Sequence, residues 1–380
     1  DEQREELEEI FMDDESTAEY TNEDLSEGFK IKHWVSNRSF GELIDMYENK
    51  EIKIPEMQRE FVWNSSKSSR LIESIVLGLP IPPLFLLEVN DNEYEIIDGY
   101  QRLTTVFNFV QGNPWGGKKE KGRNIAAKLS SKNILNEIAG KKFNDLDEKY
   151  QRKIRRSTIP LMEFKQLTPG DFSSKYLIFE RINTGSDKLN AMQIRKSLAY
   201  GEFMINLYRY ANSDENYLNL FSVSQIKRDI HVEALLRFLA ITDLVYGKIQ
   251  IKRNGIKNIL DEYCELCRNT NISEERIKQF FKILHELLQI FGSENIFRRV
   301  NSDDKYEGVL NIGILEALLG TIVEEGISVK ENIEIMYKSI MKRIYEDAIL
   351  DKKPNPFSAN TGTEEMIKKR YEITKEIIGV

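Results

Sequence analysis

Asp98, Gln101 and Arg102 fall within DGYQRLTT, residues 98–105, where an apolar run stops and a helical pattern begins. A carboxylate, an amide and a guanidinium this close together suit phosphate chemistry. Asp98 can hold Mg²⁺ or orient a water, and the planar fork of Arg102 can grip phosphate oxygens. Gly99 lacks the Cβ that would block a close approach of ligand to backbone. On the octapeptide alone a plainer reading is favoured, in which Asp98 caps the helix and Arg102 pairs with a surface acid. No G-x-x-x-x-G-K-[ST] loop supports the phosphate reading.

Chemistry at this position needs a strand and a helix to hold it. YEIIDG reads as a strand ending on a tight turn, and Leu103, Val106, Phe107 and Val110 then recur at helical spacing. The start of such a helix offers free backbone N–H groups and the positive end of its dipole, which together attract anions. At about 100° per residue, Gln101 and Thr105 lie opposite the apolar stripe and Arg102 on its flank. Upstream, SFGELIDMYENK reads as a short helix, IKIPEMQREFVW as an extended segment, and SSKSSRLIESIVLGLP as a helix ended by Gly78 and Pro80. IPPLFLLEV and YEIIDG form a hairpin across NDNE, and STIPLMEFKQL gives one more strand. From about residue 171 the pattern is helical, with NTGS interrupting it after DFSSKYLIFERI and a capping box at Asn190–Gln193.

Two further stretches change the balance. IPEMQREFVW places Gln58 and Arg59 before an apolar-aromatic pair, and FERINTGSDKLN puts Arg181, Asn183 and Gly185 at a helix break. With DGYQR between them, these motifs resemble, in order, the N-terminal domain of the GmrSD type IV restriction family. The resemblance covers roughly residues 30–200 and, more weakly, the helical remainder. It implies an α+β chain: a small ParB/sulfiredoxin-like α/β N-terminal domain over residues 29–168, then an all-helical domain over 169–380. It also implies binding of a nucleoside triphosphate with Mg²⁺. By motif, Gln58, Arg59, Asp98, Gly99, Gln101, Arg102, Thr105, Arg181, Asn183 and Gly185 would contact the nucleotide. Asp98, Gln101 and Arg102 would be catalytic, and Asp98 the metal ligand. The family shows DGQQR where this chain has Tyr100. An amide can aim an acceptor at an attacking water and a phenol is directed differently, so the departure touches hydrolysis more than binding. The ring of Tyr100 is expected to lean toward the apolar side of its helix.

Composition narrows the remaining classes. The 380 residues are 41% hydrophobic and 31% charged, enough for two cores. No run of about 18 uncharged apolar residues predicts a membrane helix. The only cysteines, Cys264 and Cys267, exclude a disulfide framework, so a cytoplasmic location is expected. Their CELC spacing lacks a second pair for zinc, and two small residues one turn apart on a helix is the favoured reading. His33, His231 and His285 stand far apart, outside any HNH-like context. Residues 1–30 hold 13 Asp/Glu against 2 Lys/Arg, whereas residues 117–156 hold 13 Lys/Arg against 5 Asp/Glu. Residues 1–28 thus read as a flexible acidic arm, and the basic segment as a polyanion surface or a solvated helical face.

The leading expectation is a nucleotide-binding switch protein of phage defence, in which occupancy biases how the two domains sit and DNA or a separate nuclease subunit reads that state. One alternative is a ParB-like DNA-binding module without turnover. A Mg²⁺-dependent nuclease built on Asp98 ranks last, because a two-metal site needs several carboxylates.

Overall fold

The computed structural model describes residues 31–380 except 54–60, 62, 118–124, 168–172, 183–189, 253–254, 351–352 and 359–360. The acidic arm at 1–28 therefore lies outside the described residues. The chain is α+β and divides into two compact units between Lys188 and Leu189. Among the described residues, no helix is long and apolar enough to cross a membrane.

The first unit runs β1 (Ile31–Ser39), α1 (Phe40–Glu48), β2 (Ile52–Lys53), α2 (Ser65–Leu77), β3 (Leu84–Asn90), β4 (Glu93–Asp98), α3 (Tyr100–Gln111), α4 (Glu148–Arg156), β5 (Thr158–Gln166) and α5 (Ser173–Ile182). Its sheet has the order β1-β5-β3-β4-β2. The β1–β5 and β3–β4 pairs are antiparallel, while β3–β5 and β2–β4 are parallel. Local chemistry sets the ends of the elements. Ser39 caps α1, its side chain accepting from the Glu42 N–H, and Asn64 caps α2 through the Lys67 N–H. Gly78 ends α2 in the left-handed region at φ 74°. On one face of the sheet Leu84, Leu86, Ile96 and Leu161 share a core with Phe40, Ile44, Ile72, Leu103, Val106 and Phe109. Burying each such side chain contributes about 1.5–3 kcal/mol.

Strand β1 is absent from the sequence expectation. Its Lys32, His33, Val35 and Asn37 are exposed, so IKHWVSNRS carries no clean apolar alternation. It is held by its antiparallel ladder with β5 and by the buried carboxylate of Glu163 on β5, which accepts from Trp34 Nε1, from Ser36 Oγ at 3.2 Å and from Arg38 Nη2 at 3.4 Å. The expected domain boundary at residue 168 also moves. The onset of helical pattern marks α5, but α5 packs on β4 and belongs to the first unit.

The second unit comprises α6 (Ala191–Leu198), α7 (Glu202–Ala211), α8 (Glu215–Leu218), α9 (Val223–Lys227), α10 (Ile230–Val245), α11 (Ile256–Leu266), α12 (Glu274–Phe291), α13 (Ile312–Glu325), α14 (Ile333–Leu350) and α15 (Glu364–Ile378). It is mostly helical, not all-helical: β6 (Arg299–Val300) and β7 (Tyr306–Glu307) pair antiparallel between α12 and α13. The Asn190–Gln193 capping box forms reciprocally, at 2.8 and 3.0 Å. α10 and α13 pack together and are buried along most of their length. Charges inside this core are paired. Glu316 accepts from Arg237 Nε at 2.5 Å and Arg370 Nη2 at 2.7 Å, and Arg195 donates to Asp261 at 2.7 Å and Glu233 at 3.0 Å. Burial raises the Asp261 carboxyl, and its partner Arg195 opposes that shift.

Candidate functional site

The β4–α3 turn is built around Gly99. This residue occupies the helix N-cap at φ 99°, ψ 8°, a conformation that L side chains rarely adopt. A Cβ placed there would stand 2.2 Å from Leu84 Cδ2 and 3.0 Å from Arg102 Nη2. The glycine is thus required by the chain's own packing. The Leu103 N–H donates to the Gly99 carbonyl at 3.0 Å, which starts the helix.

Asp98 does not hold the N-cap of that helix, which is Gly99 and makes no side-chain cap bond. Its Oδ2 lies 3.0 Å from Arg102 Nη2, and the same nitrogen donates to the Pro83 carbonyl at 2.9 Å. Asp98 is 44% exposed in its side chain and Arg102 only 16%, so the acid faces water while the guanidinium is tucked behind it. The expected capping role passes to Gly99, and the acid that Arg102 pairs with is its own neighbour one turn back. Arg102 Nε is buried without a hydrogen-bond partner, as are the hydroxyls of Thr104 and Thr105. Native structures leave few such atoms unsatisfied, and strain, an ordered water, an ion or a function accounts for them; the hydroxyl of Tyr210 and the Nε atoms of Arg276 and Arg370 in the second unit are further cases.

Gln101 is half-buried, and Thr105 is fully buried despite its expected place opposite the apolar stripe. The helical phase is as expected, but α3 packs against α1, α2 and the Phe143–Asp145 turn, so more than one of its faces is covered. Tyr100 is 9% exposed and lies in the core of the first unit. Arg181 is exposed at the end of α5. Gln58, Arg59, Asn183 and Gly185 lie outside the described residues.

The structure also shows a group that motif reading missed. Lys175 Nζ on α5 lies 3.1 Å from Glu95 Oε2 on β4, with both side chains buried. A signal existed: Lys175, Ile178, Phe179 and Ile182 follow helical spacing, which sets a lysine on an apolar stripe.

The remaining chemistry-bearing residues have structural settings. His231 is buried, with Nε2 3.2 Å from Asn212 Oδ1, and burial lowers its pKa. His285 pairs with Asp214 at 2.9 Å. Cys264 lies in the core and Cys267 forms the C-cap of α11, and burial pushes both thiols up. Helix α4 carries Lys149, Arg152, Lys153, Arg155 and Arg156 on its exposed surface and buries Ile154.

A mixed sheet whose strand β4, next to the edge strand β2, passes through a left-handed glycine into a helix, with an acid–arginine pair on the turn, defines an α+β domain. Residues 40–200 match the family model described as GmrSD restriction endonuclease, N-terminal domain. That stretch is a GmrSD-type N-terminal domain, and it covers less than half of the chain. No curated protein matches the chain, and no solved structure does.

Proposed function

We propose that this chain binds a nucleoside triphosphate with Mg²⁺ at the 98–102 turn and serves as a nucleotide-dependent switch in a restriction-type phage-defence system. The observation that carries the reading is the pairing of Asp98 and Arg102 on a glycine-started helix, within the stretch that matches the restriction family. The donor set fits the ligand. Asp98 would hold the metal, and the exposed half of its carboxylate is turned to water. Arg102 would take phosphate oxygens. In the free protein the two charges neutralise each other, and a metal–phosphate pair would supply each with a stronger partner. Mg²⁺ neutralises phosphate charge when bound. Gln58, Arg59, Arg181, Asn183 and Gly185 complete the proposed contacts, and the ParB/sulfiredoxin likeness rests on the same motifs. With Tyr100 in the core, position 100 supplies no amide to aim a water, so turnover is slow. Occupancy then biases an equilibrium that DNA or a separate nuclease subunit reads.

The test is titration of the full chain with ATP, GTP, CTP and UTP, with and without Mg²⁺, following binding and phosphate release. Saturable, Mg²⁺-assisted binding of at least one is expected. Absence of binding by all four removes the reading.

A second reading, a ParB-like DNA-binding module without turnover, is favoured by the exposed basic face of α4. Lys153 and Arg156 there form no ion pair with a described residue. Among the described residues no group of three or more His, Cys, Asp or Glu could hold a metal, so the direct nuclease finds no support in side-chain clustering.

A further inference from the structure

In the second unit the last turns of α13 and α15 and the start of α14 surround a cavity of about 110 Å³. Its apolar lining includes Ile322 on α13, Ile327 in the loop that follows, Ile333 on α14, and Ile377 and Ile378 on α15. All of these but Ile327 are buried. Close-packed interiors keep few voids larger than a water molecule. Water is a poor filling here, because a buried water needs about two to four polar partners and isoleucine side chains offer none. At about 30 Å³ of liquid volume per water, the space equals nearly four waters, or an apolar tail of about four carbons.

The mouth of the cavity differs from its floor. Ser328, Lys330 and Asn332 also line it and are exposed, and no Asp or Glu is among the lining residues. Lys330 Nζ donates to the Ile378 carbonyl at 3.1 Å. An ammonium has three donors, so two remain. Gly379 leaves the ammonium its room, since a Cβ there would stand 3.2 Å from Nζ. Lys330 makes no ion pair with a described residue. The last carbonyls of α15 form the negative end of that helix and by themselves oppose an anion. Lys330, anchored on one of those carbonyls, sets a full positive charge against their partial ones.

We propose that this cavity is a binding site for a small aliphatic monocarboxylate, its tail among the isoleucines and its carboxylate on Lys330 beside Ser328 and Asn332. The site lies wholly within the second unit and does not depend on the nucleotide reading. A carboxylate bound there stabilises that unit by mass action.

The experiment titrates the full chain, labelled at its isoleucine δ1 methyls for NMR, with propanoate, butanoate, pentanoate and hexanoate. Pentanol and pentylamine serve as controls for the charge of the head group. Saturable shifts are expected at the methyls of Ile322, Ile327, Ile333, Ile377 and Ile378. Affinity should rise about fourfold for each added methylene, as for one buried CH₂, and level off after pentanoate as the cavity fills. Pentanoate should bind about tenfold tighter than pentanol through its charge-assisted contact, and pentylamine should bind more weakly still. Lys330→Gln, a change at an exposed residue, should lose that tenfold advantage and keep the pentanol shifts. Val329→Phe, which fills the space, should abolish binding of the whole series. Wild-type protein without saturable shifts at these methyls overturns the proposal. So does pentanol or pentylamine binding as tightly as pentanoate, which would mark a hole open to any apolar group. Equal affinity of the wild type and a folded Lys330→Gln for pentanoate overturns it as well.

Discussion

Gly99 shows how a single position can serve two masters at the β4–α3 turn. Its φ of 99° and the 2.2 Å approach of Leu84 Cδ2 to a would-be Cβ both forbid a side chain. Gly99→Ala should therefore lose about 1–3 kcal/mol through overpacking alone, read as a lower urea midpoint for the first unit. A variant as stable as wild type would mean that Leu84 and the turn relax freely. The need for glycine here was legible in the sequence, but its reason was only half so. A strand–glycine–helix pattern predicts a tight turn, whereas the contact with Leu84 comes from a neighbouring strand. Asp98 is similar. Its spacing from Arg102 is that of an i,i+4 pair, yet by sequence capping is an equal use for it, because one turn of sequence does not reveal which residue takes the left-handed cap. Tyr100 leaning into the core was readable from helical phase alone.

Among elements, those with a strong period announced themselves. The β3–β4 hairpin across Asn92, at φ 61°, and helices α1, α2 and α3 fall where apolar spacing and glycine stops place them. Elements defined by partners did not. β1 pairs along its whole length with β5, whose Glu163 also takes its side-chain hydrogen bonds, and α5 packs on β4, where Lys175 lies against Glu95. Buried charge between elements is equally invisible to periodicity. Glu316 on α13 bridges Arg237 on α10 and Arg370 on α15, all three at most 1% exposed. Glu316→Gln removes a negative charge shared by two buried guanidinium groups and should cost about 3–5 kcal/mol. Hydrogen exchange in α10, α13 and α15 should rise together. Unchanged protection there would show that the arginines find other compensation, such as the Pro356 and Thr361 carbonyls that already accept from Arg370.

At the scale of the whole molecule the net charge of −8 conceals an uneven distribution. The acidic residues 1–30 and the basic face of α4 have opposite sign, and both were visible by counting. Which cations are exposed was not, because only the fold turns Ile154 inward and leaves Lys153 and Arg156 in water. Reversing Lys153 and Arg156 together to Glu should weaken duplex DNA binding at low salt, with the difference fading as ionic strength rises and the screening length falls toward about 8 Å. Deleting residues 1–28 should act in the opposite sense, by removing a competitor for the same surface. Fluorescence anisotropy at two salt concentrations reads both effects. Equal affinities for all three proteins at low salt would exclude α4 and the arm from polyanion binding.

The most direct measurement is the nucleotide affinity of Arg102→Ala beside its stability. Arg102 spends one nitrogen on Asp98 and Pro83, with its Nε left buried and unpartnered. If its purpose is phosphate, its removal costs about 1.5–3 kcal/mol of binding through a lost charge-assisted contact. The fold, with Gly99 and Leu103 still starting α3, should lose less. Calorimetric titration with the preferred Mg²⁺–nucleoside triphosphate, paired with urea unfolding of the same two proteins, separates the quantities. A Kd raised at least about tenfold in a protein that stays folded is the expected result. A folded Arg102→Ala that binds the nucleotide as tightly as wild type would contradict the phosphate role of the turn and leave Arg102 a purely structural tie between β3, β4 and α3.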